Sequence, residues 1–272
     1  MHASHRLTLL ARLGFASRGL VYILVGWFAL HAARTGGQPA DNQAALASLV
    51  DEPLGRGLLL VIGLGLLGYA VWRLLEAALD PEKRGRSTKG KFERAGYALS
   101  GVTHLILAVY AVRLAMHDAV AGGTAPGDSS ARDWSAWLMA QPGGTLLLSL
   151  VGGVLFIVAG AQATKSGKAG FMRELEGDAP VPDYLRIAGR IGYGARAVVF
   201  ALIGWFFIRA ALHANPEEAG GMGQALRALQ GQDYGPVLLG LVAVGLFLFG
   251  LFSLVEARFR RLKVVAPTSG IG

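Results

Sequence analysis

Apolar residues fall into six long runs, at about 13–33, 56–77, 95–115, 144–163, 191–211 and 236–256. Each is close to the ~20 residues that a helix needs to cross ~30 Å of hydrocarbon. A helix satisfies its own backbone polar groups, which lipid cannot do. The pattern predicts six membrane-spanning helices. A shorter amphipathic stretch lies inside each pair of runs: "QAALASLVDEPLG" from Gln43, "DWSAWLMAQPGG" from Asp133 and "GQALRALQGQDYG" from Gly223. Ala45, Leu46, Leu49 and Val50 show helical spacing, as do Leu226 and Leu229. Trp134 and Trp137 suit the headgroup level. Short surface helices are therefore expected, and Pro53, Pro142 and Pro236 stand just before the spans that follow.

The runs are not independent. "RLGFASRG" at Arg12, "RAGYALSG" at Arg94 and "RIGYGARA" at Arg190 share one pattern, and "GWF" recurs at Gly26 and Gly204, fourteen residues after the first and third arginines. The chain reads as three tandem two-helix repeats, 1–82, 83–172 and 173–272, within one membrane domain. The expected fold is an all-α integral membrane protein with six transmembrane helices in a pseudo-threefold arrangement. Basic residues precede the first apolar run, as in a signal peptide. The run continues to about Ala33 without a clear small-x-small site and its motif returns mid-chain, so cleavage is not expected.

Composition agrees. Of 272 residues 53% are hydrophobic and 16% charged, the mean hydropathy is +0.45, and there are 39 glycines, which suits close packing in lipid. The absence of cysteine excludes disulfides, thiolate nucleophiles and iron–sulfur clusters. The net charge of +8 is a topology signal. Twenty of the 26 basic residues fall on the side holding both termini, while the acidic residues divide evenly. Both termini are expected in the cytoplasm of a bacterial inner membrane, with anionic lipid attracted to that face and no case for nucleic acid.

These motifs resemble the bacterial membrane family catalogued as domain of unknown function 1206, whose members carry tandem two-helix units opening with such a motif. The resemblance covers essentially the whole chain. Ser100 replaces the second motif arginine in the second copy, and Ala197 the glycine in the third. The resemblance implies a fold and no activity.

Two readings compete for Arg18, which sits inside an apolar run. It can snorkel to nearby headgroups, or it can pair with an acid. Aligning the even spans on Gly65, Gly153 and Gly245 places Glu76, Thr164 and Glu256 in register. The repeat with Ser100 in place of arginine also lacks the glutamate. Pairs Arg18–Glu76 and Arg196–Glu256, each within one repeat, would explain that joint loss.

Chemistry is sparse. "GLGLLG" at Gly63 lies inside a span and reads as a helix-packing surface. His31, His117 and His213 lie near the outer ends of the odd spans, but His31 is out of register with the other two, which makes them weak metal candidates; no metal or cofactor is expected. His104 occupies the position of Tyr22 and Phe200. With Thr103, Thr145, Ser149 and Gln162 it marks either a satisfied buried histidine or a polar ligand site. Three functions stay open: a non-catalytic scaffold, accessory or lipid-interacting module with a protein partner or second copy; a small-solute transporter or channel; and, with least support, an enzyme.

Overall fold

A computed structural model describes residues 2–79, 88–116, 126–175 and 182–260. Six of its helices are long and apolar enough to cross a membrane: α1 (His2–Thr35), α3 (Gly55–Leu79), α4 (Thr88–Met116), α6 (Gly144–Lys168), α7 (Asp183–Leu212) and α9 (Gly235–Phe259). Three short ones alternate with them: α2 (Asn42–Ala47), α5 (Pro126–Met139) and α8 (Met222–Gln230). α5 starts seven residues before the amphipathic stretch read at Asp133, with Pro126 as its first residue, where a missing N–H costs nothing. There is no β-strand among the described residues, only an isolated bridge between Leu175 and Arg260.

The short helices gather at one end, here the cap end, through bonds that cross repeats. Asp41 caps α2 through Oδ1, which accepts from Gln43 N and Ala44 N, while Oδ2 accepts from Gly127 N at the start of α5. Asp128 of α5 accepts in turn from Gly221 N ahead of α8 and pairs with Arg227. Gln230 at the end of α8 donates to the Gly37 carbonyl. Burial pushes the Asp41 carboxyl above the usual carboxylate range, against the three N–H groups that hold it down.

The long helices pack mainly between repeats. α1 lies on α9, α4 on α3 and α7 on α6. Glycine permits the approach. A methyl group on Gly19 would fall 2.8 Å from the Gly250 carbonyl, and one on Gly250 would fall 2.7 Å from that of Gly19. Gly101 meets Ala70 and Leu74 at the corresponding positions of the α4–α3 interface. Within repeats, α1 packs on α3 and α7 on α9. Here the motif glycines Gly14 and Gly192 abut the backbones of Tyr69 and Phe249, and Phe15 and Tyr193 meet those same rings edge-on.

The second repeat differs. Among the described residues α4 and α6 share no comparable interface, so the pseudo-threefold arrangement is not completed. Gly96, the motif glycine of that repeat, faces open space. The cause is visible in the side chains. In the first and third repeats Gly65 meets Ser17 and Gly245 meets Ala195. The equivalent positions in the second repeat hold Val154 and Leu99, both exposed. Two bulky side chains replace a glycine and a small residue, and the helices stay apart.

Those equivalences require a register one residue away from the one read off the glycines. Gly152 makes the contacts of Gly63: a methyl group on Gly63 meets Val112 and the Ala108 carbonyl, and one on Gly152 meets Ile208 and the Gly204 carbonyl. Leu59, Leu148 and Leu239 are all fully buried in the same register. Gly153 has nothing near it and points outward. The position equivalent to Glu76 and Glu256 is therefore Lys165, not Thr164. Thr164 is exposed and bonds back to the Gly160 carbonyl.

Candidate functional site: a buried arginine–glutamate network and the half-buried face of α6

The motif residues have separate tasks at the end opposite the caps, here the basic end. Its first arginine caps an even helix of the preceding repeat. Arg94 Nε donates to the Ala77 carbonyl at 2.7 Å, and Arg190 Nε to the Ser166 carbonyl at 2.8 Å. Cations belong there, because the last carbonyls of a helix carry its negative pole.

The second arginine is the one that puzzles in sequence. Arg18 is 4% exposed, so it is buried in protein and does not snorkel to headgroups. Its Nη2 lies 2.5 Å from Glu256 Oε2 and 3.0 Å from Ser253 Oγ, and its Nη1 donates to the Tyr69 hydroxyl at 2.5 Å. Both within-repeat pairs expected from the sequence are corrected. Arg18 pairs with Glu256 rather than Glu76, and Glu256 is shared with Arg260 at 2.7 Å rather than with Arg196. Glu76 is held instead by Arg73, one turn earlier, whose Nε reaches Tyr69 at 2.8 Å. The reason is topological. The motif arginine faces the even helix of a neighbouring repeat, so Ser100 leaves Glu76 without its natural partner and Arg73 takes the place.

The same rule fixes the third interface. Arg196 faces α6, where the acid position is Lys165. Arg196 makes no ion pair among the described residues; its guanidinium lies over Phe249 at 4.4 Å and over Tyr22 and Phe200 at 5.3 Å. Among the described residues its Nε is buried without a hydrogen-bond partner, as is the Gln162 Oε1 at the position of Ser253. Lys165 lies 5.4 Å over the ring of Tyr193, one turn before Arg196 on α7.

His104 is 8% exposed and stacks on Tyr69 with centroids 4.6 Å apart. Its Nδ1 lies 2.7 Å from the Ser100 carbonyl. A carbonyl only accepts, so Nδ1 carries the proton. The charges that act on this ring are those of Arg18, Arg196 and Arg73. Among the described residues α4 and α7 share no packed face.

The other polar candidates do not join His104. Thr103 and Thr145 are exposed; Thr103 donates to the Leu99 carbonyl and Ser149 to that of Thr145, each within its own helix. Of the three histidines weighed for metal, His31 is exposed, His213 bonds Glu218 at 2.9 Å, and His117 lies outside the described residues. No group of three metal-ligating side chains occurs among the described residues.

What the sequence reading missed is the lack of packing between α4 and α6. The inward positions of α6, Val151, Leu155, Val158 and Gln162, are half-buried, while their counterparts in α3 and α9 are buried. α6 is the least buried of the six spans, with 22% of its most apolar window covered against 56% for α1 or α3. A signal was present: Leu99 and Val154 break the small-residue pattern of the other repeats.

Six apolar spans in three repeats, bound by intramembrane ion pairs, define a multi-pass helical membrane protein. The chain belongs to the Domain of Unknown Function (DUF1206) family, whose model matches it three times, over residues 13–80, 95–169 and 191–260. It is 34% identical over 254 residues to the uncharacterized protein YxxB of Bacillus subtilis (strain 168), across 92% of this chain and 90% of that one. No solved structure matches it.

Proposed function

We propose that the chain is a non-catalytic lipid-binding module of the bacterial inner membrane, with both termini cytoplasmic, that takes an acyl chain into the groove between α4 and α6. The observation that carries this reading is the missing within-repeat interface, with Gly96 in open space and Leu99 and Val154 exposed beside it. A gap between two spanning helices opens onto hydrocarbon, and an unfilled apolar gap forfeits dispersion contacts along its walls. A solute pathway is less well supported, since the hydroxyls of Thr103 and Ser149 are spent on their own helices.

Native mass spectrometry after exhaustive detergent exchange tests the reading. The wild-type chain should retain one lipid. Val158→Phe, which copies the ring of Phe249 into the groove, should lose it. So should Leu99→Ser with Val154→Gly, which copies the first repeat and lets α4 and α6 close. Equal retention by all three chains, or a groove filled by a second copy and seen as a dimer mass, would sink the idea.

A further inference from the structure

We propose that the corner between the end of α3 and the start of α4 binds the phosphate of an anionic phospholipid through Lys91 and Arg94. A cavity of about 290 Å³ lies there, lined among the described residues by Ala77, Lys91, Arg94, Ala95 and Ala98. The second repeat departs here from the other two. Three residues before the first motif arginine the repeats hold Leu9, Lys91 and Ile187, and one residue after it Leu13, Ala95 and Ile191. Leu9, Leu13, Ile187 and Ile191 are all exposed, as apolar side chains are on a helix surface that meets lipid. The second repeat exchanges the two large apolar groups for an ammonium and a methyl, which leaves room where a leucine or isoleucine would stand.

The depth suits a headgroup. The apolar span of α4 begins at Glu93, so Lys91 stands just outside it and Ala95 and Ala98 just inside. Lys91 is exposed and makes no ion pair among the described residues. Arg94 is fixed in place, with Nε on the Ala77 carbonyl at 2.7 Å and Nη2 on that of Ala78 at 3.1 Å, which leaves Nη1 for another acceptor. The same bonds satisfy both carbonyls, so the cavity presents cations rather than competing acceptors. Glu93 is two residues from Lys91 and one from Arg94, spacings that turn side chains apart on a helix. A phosphodiester offers acceptor oxygens and a negative charge, which guanidinium and ammonium groups both match. Val102 and Ile106, exposed on the side of α4 that continues from Ala95, give its acyl chain an apolar path. A soluble phosphate would use the cations alone.

The test is native mass spectrometry of the full chain in an equimolar mixture of phosphatidylglycerol and phosphatidylcholine. The wild type should carry phosphatidylglycerol in preference by about tenfold, from two basic groups beside one phosphate. Lys91→Ile with Ala95→Ile copies the third repeat, so the fold accepts both side chains, and should cut that ratio by about fivefold or more. Lys168→Gln removes one charge from an exposed position at the same end of the molecule and should leave the ratio unchanged. Val158→Phe should leave it unchanged too, because this site lies apart from the space between α4 and α6; its effect on the lipid there tests that reading separately. A wild type without preference, a double variant that keeps it in full, or a Lys168→Gln chain that loses as much overturns the site. Inorganic phosphate in excess should not displace phosphatidylglycerol; displacement would make a soluble anion the occupant and overturn the lipid.

Discussion

Arg18 and Glu256 meet at 2.5 Å across the boundary between the first and last repeats, both almost fully buried. Breaking a buried pair by removing one partner costs about 3–5 kcal/mol, because the other charge stays behind. Glu256→Thr should approach that figure, since it leaves Arg18 and Arg260 together without their shared acid. In a double-mutant cycle on unfolding in detergent, Arg18→Ser with Glu256→Thr should show a coupling of about 1–3 kcal/mol. Arg18→Ser with Glu76→Thr should couple less, because among the described residues the two connect indirectly, through Tyr69 and Arg73. The reverse order would restore the within-repeat pairing.

Glycines that look alike in sequence should separate sharply under alanine substitution. Gly250→Ala puts a methyl group against the Gly19 backbone, and Gly152→Ala puts one against the Gly204 carbonyl. Overpacking of this kind costs about 1–3 kcal/mol. Gly153→Ala and Gly96→Ala meet nothing, and should be neutral or stabilising by about 0.5–1 kcal/mol through helix propensity. Melting temperatures of the four variants decide it. A Gly153→Ala loss as large as that of Gly152→Ala would return the register to the one anchored on Gly153.

At the cap end, hydrogen bonding from His213, with help from the Arg209 charge, holds the Glu218 carboxyl below its ordinary range. A lowered carboxylate value means that the folded chain binds this proton less readily than the unfolded one. The contribution is therefore present above the ordinary carboxylate range near pH 4.5, and is lost as pH falls through the lowered folded value. Glu218→Gln, which resembles the protonated acid, should lower stability at neutral pH slightly and remove that part of the acid sensitivity. An acid-melting profile identical to wild type would show that the pair contributes nothing.

Membrane orientation is open to direct labelling, because the chain has no cysteine. Ser129→Cys lies exposed on α5 at the cap end, and Lys168→Cys exposed at the basic end of α6. An impermeant maleimide applied to intact cells should label position 129 and spare 168. Labelling in the opposite sense would invert the topology that the basic residues predict.

Much of this fold was legible in the sequence. Hydrophobic runs fix six spans, the triplicated motif fixes the repeats, and both survive in the structure. Periodicity shows which face of a helix is buried but not which neighbour covers it. That is why Arg18 was matched to Glu76 inside its own repeat, when the fold carries it to Glu256 of another. The slip from Lys165 to Thr164 has a similar origin. Gly152 and Gly153 are adjacent and chemically identical, and only packing distinguishes the one that touches α7 from the one that faces outward. The links among α2, α5 and α8 were missed because Asp41 and Asp128 act over 86 and 93 residues. Their local signal, an aspartate at or near a helix start, is common.

The separation of Arg18 from Glu256 by 238 residues also has a consequence in time. A ribosome adding about 5–20 residues per second makes the glutamate roughly ten seconds to a minute after the arginine. Throughout that interval α1 sits in the bilayer with its cation unmatched, and α3 and α4 can dock before α9 exists. Assembly is therefore completed by the last helix, whose arrival joins the newest part of the chain to the oldest. A ribosome that stalls before residue 256 leaves α1 open to the α9 of another copy, and so to an exchanged dimer.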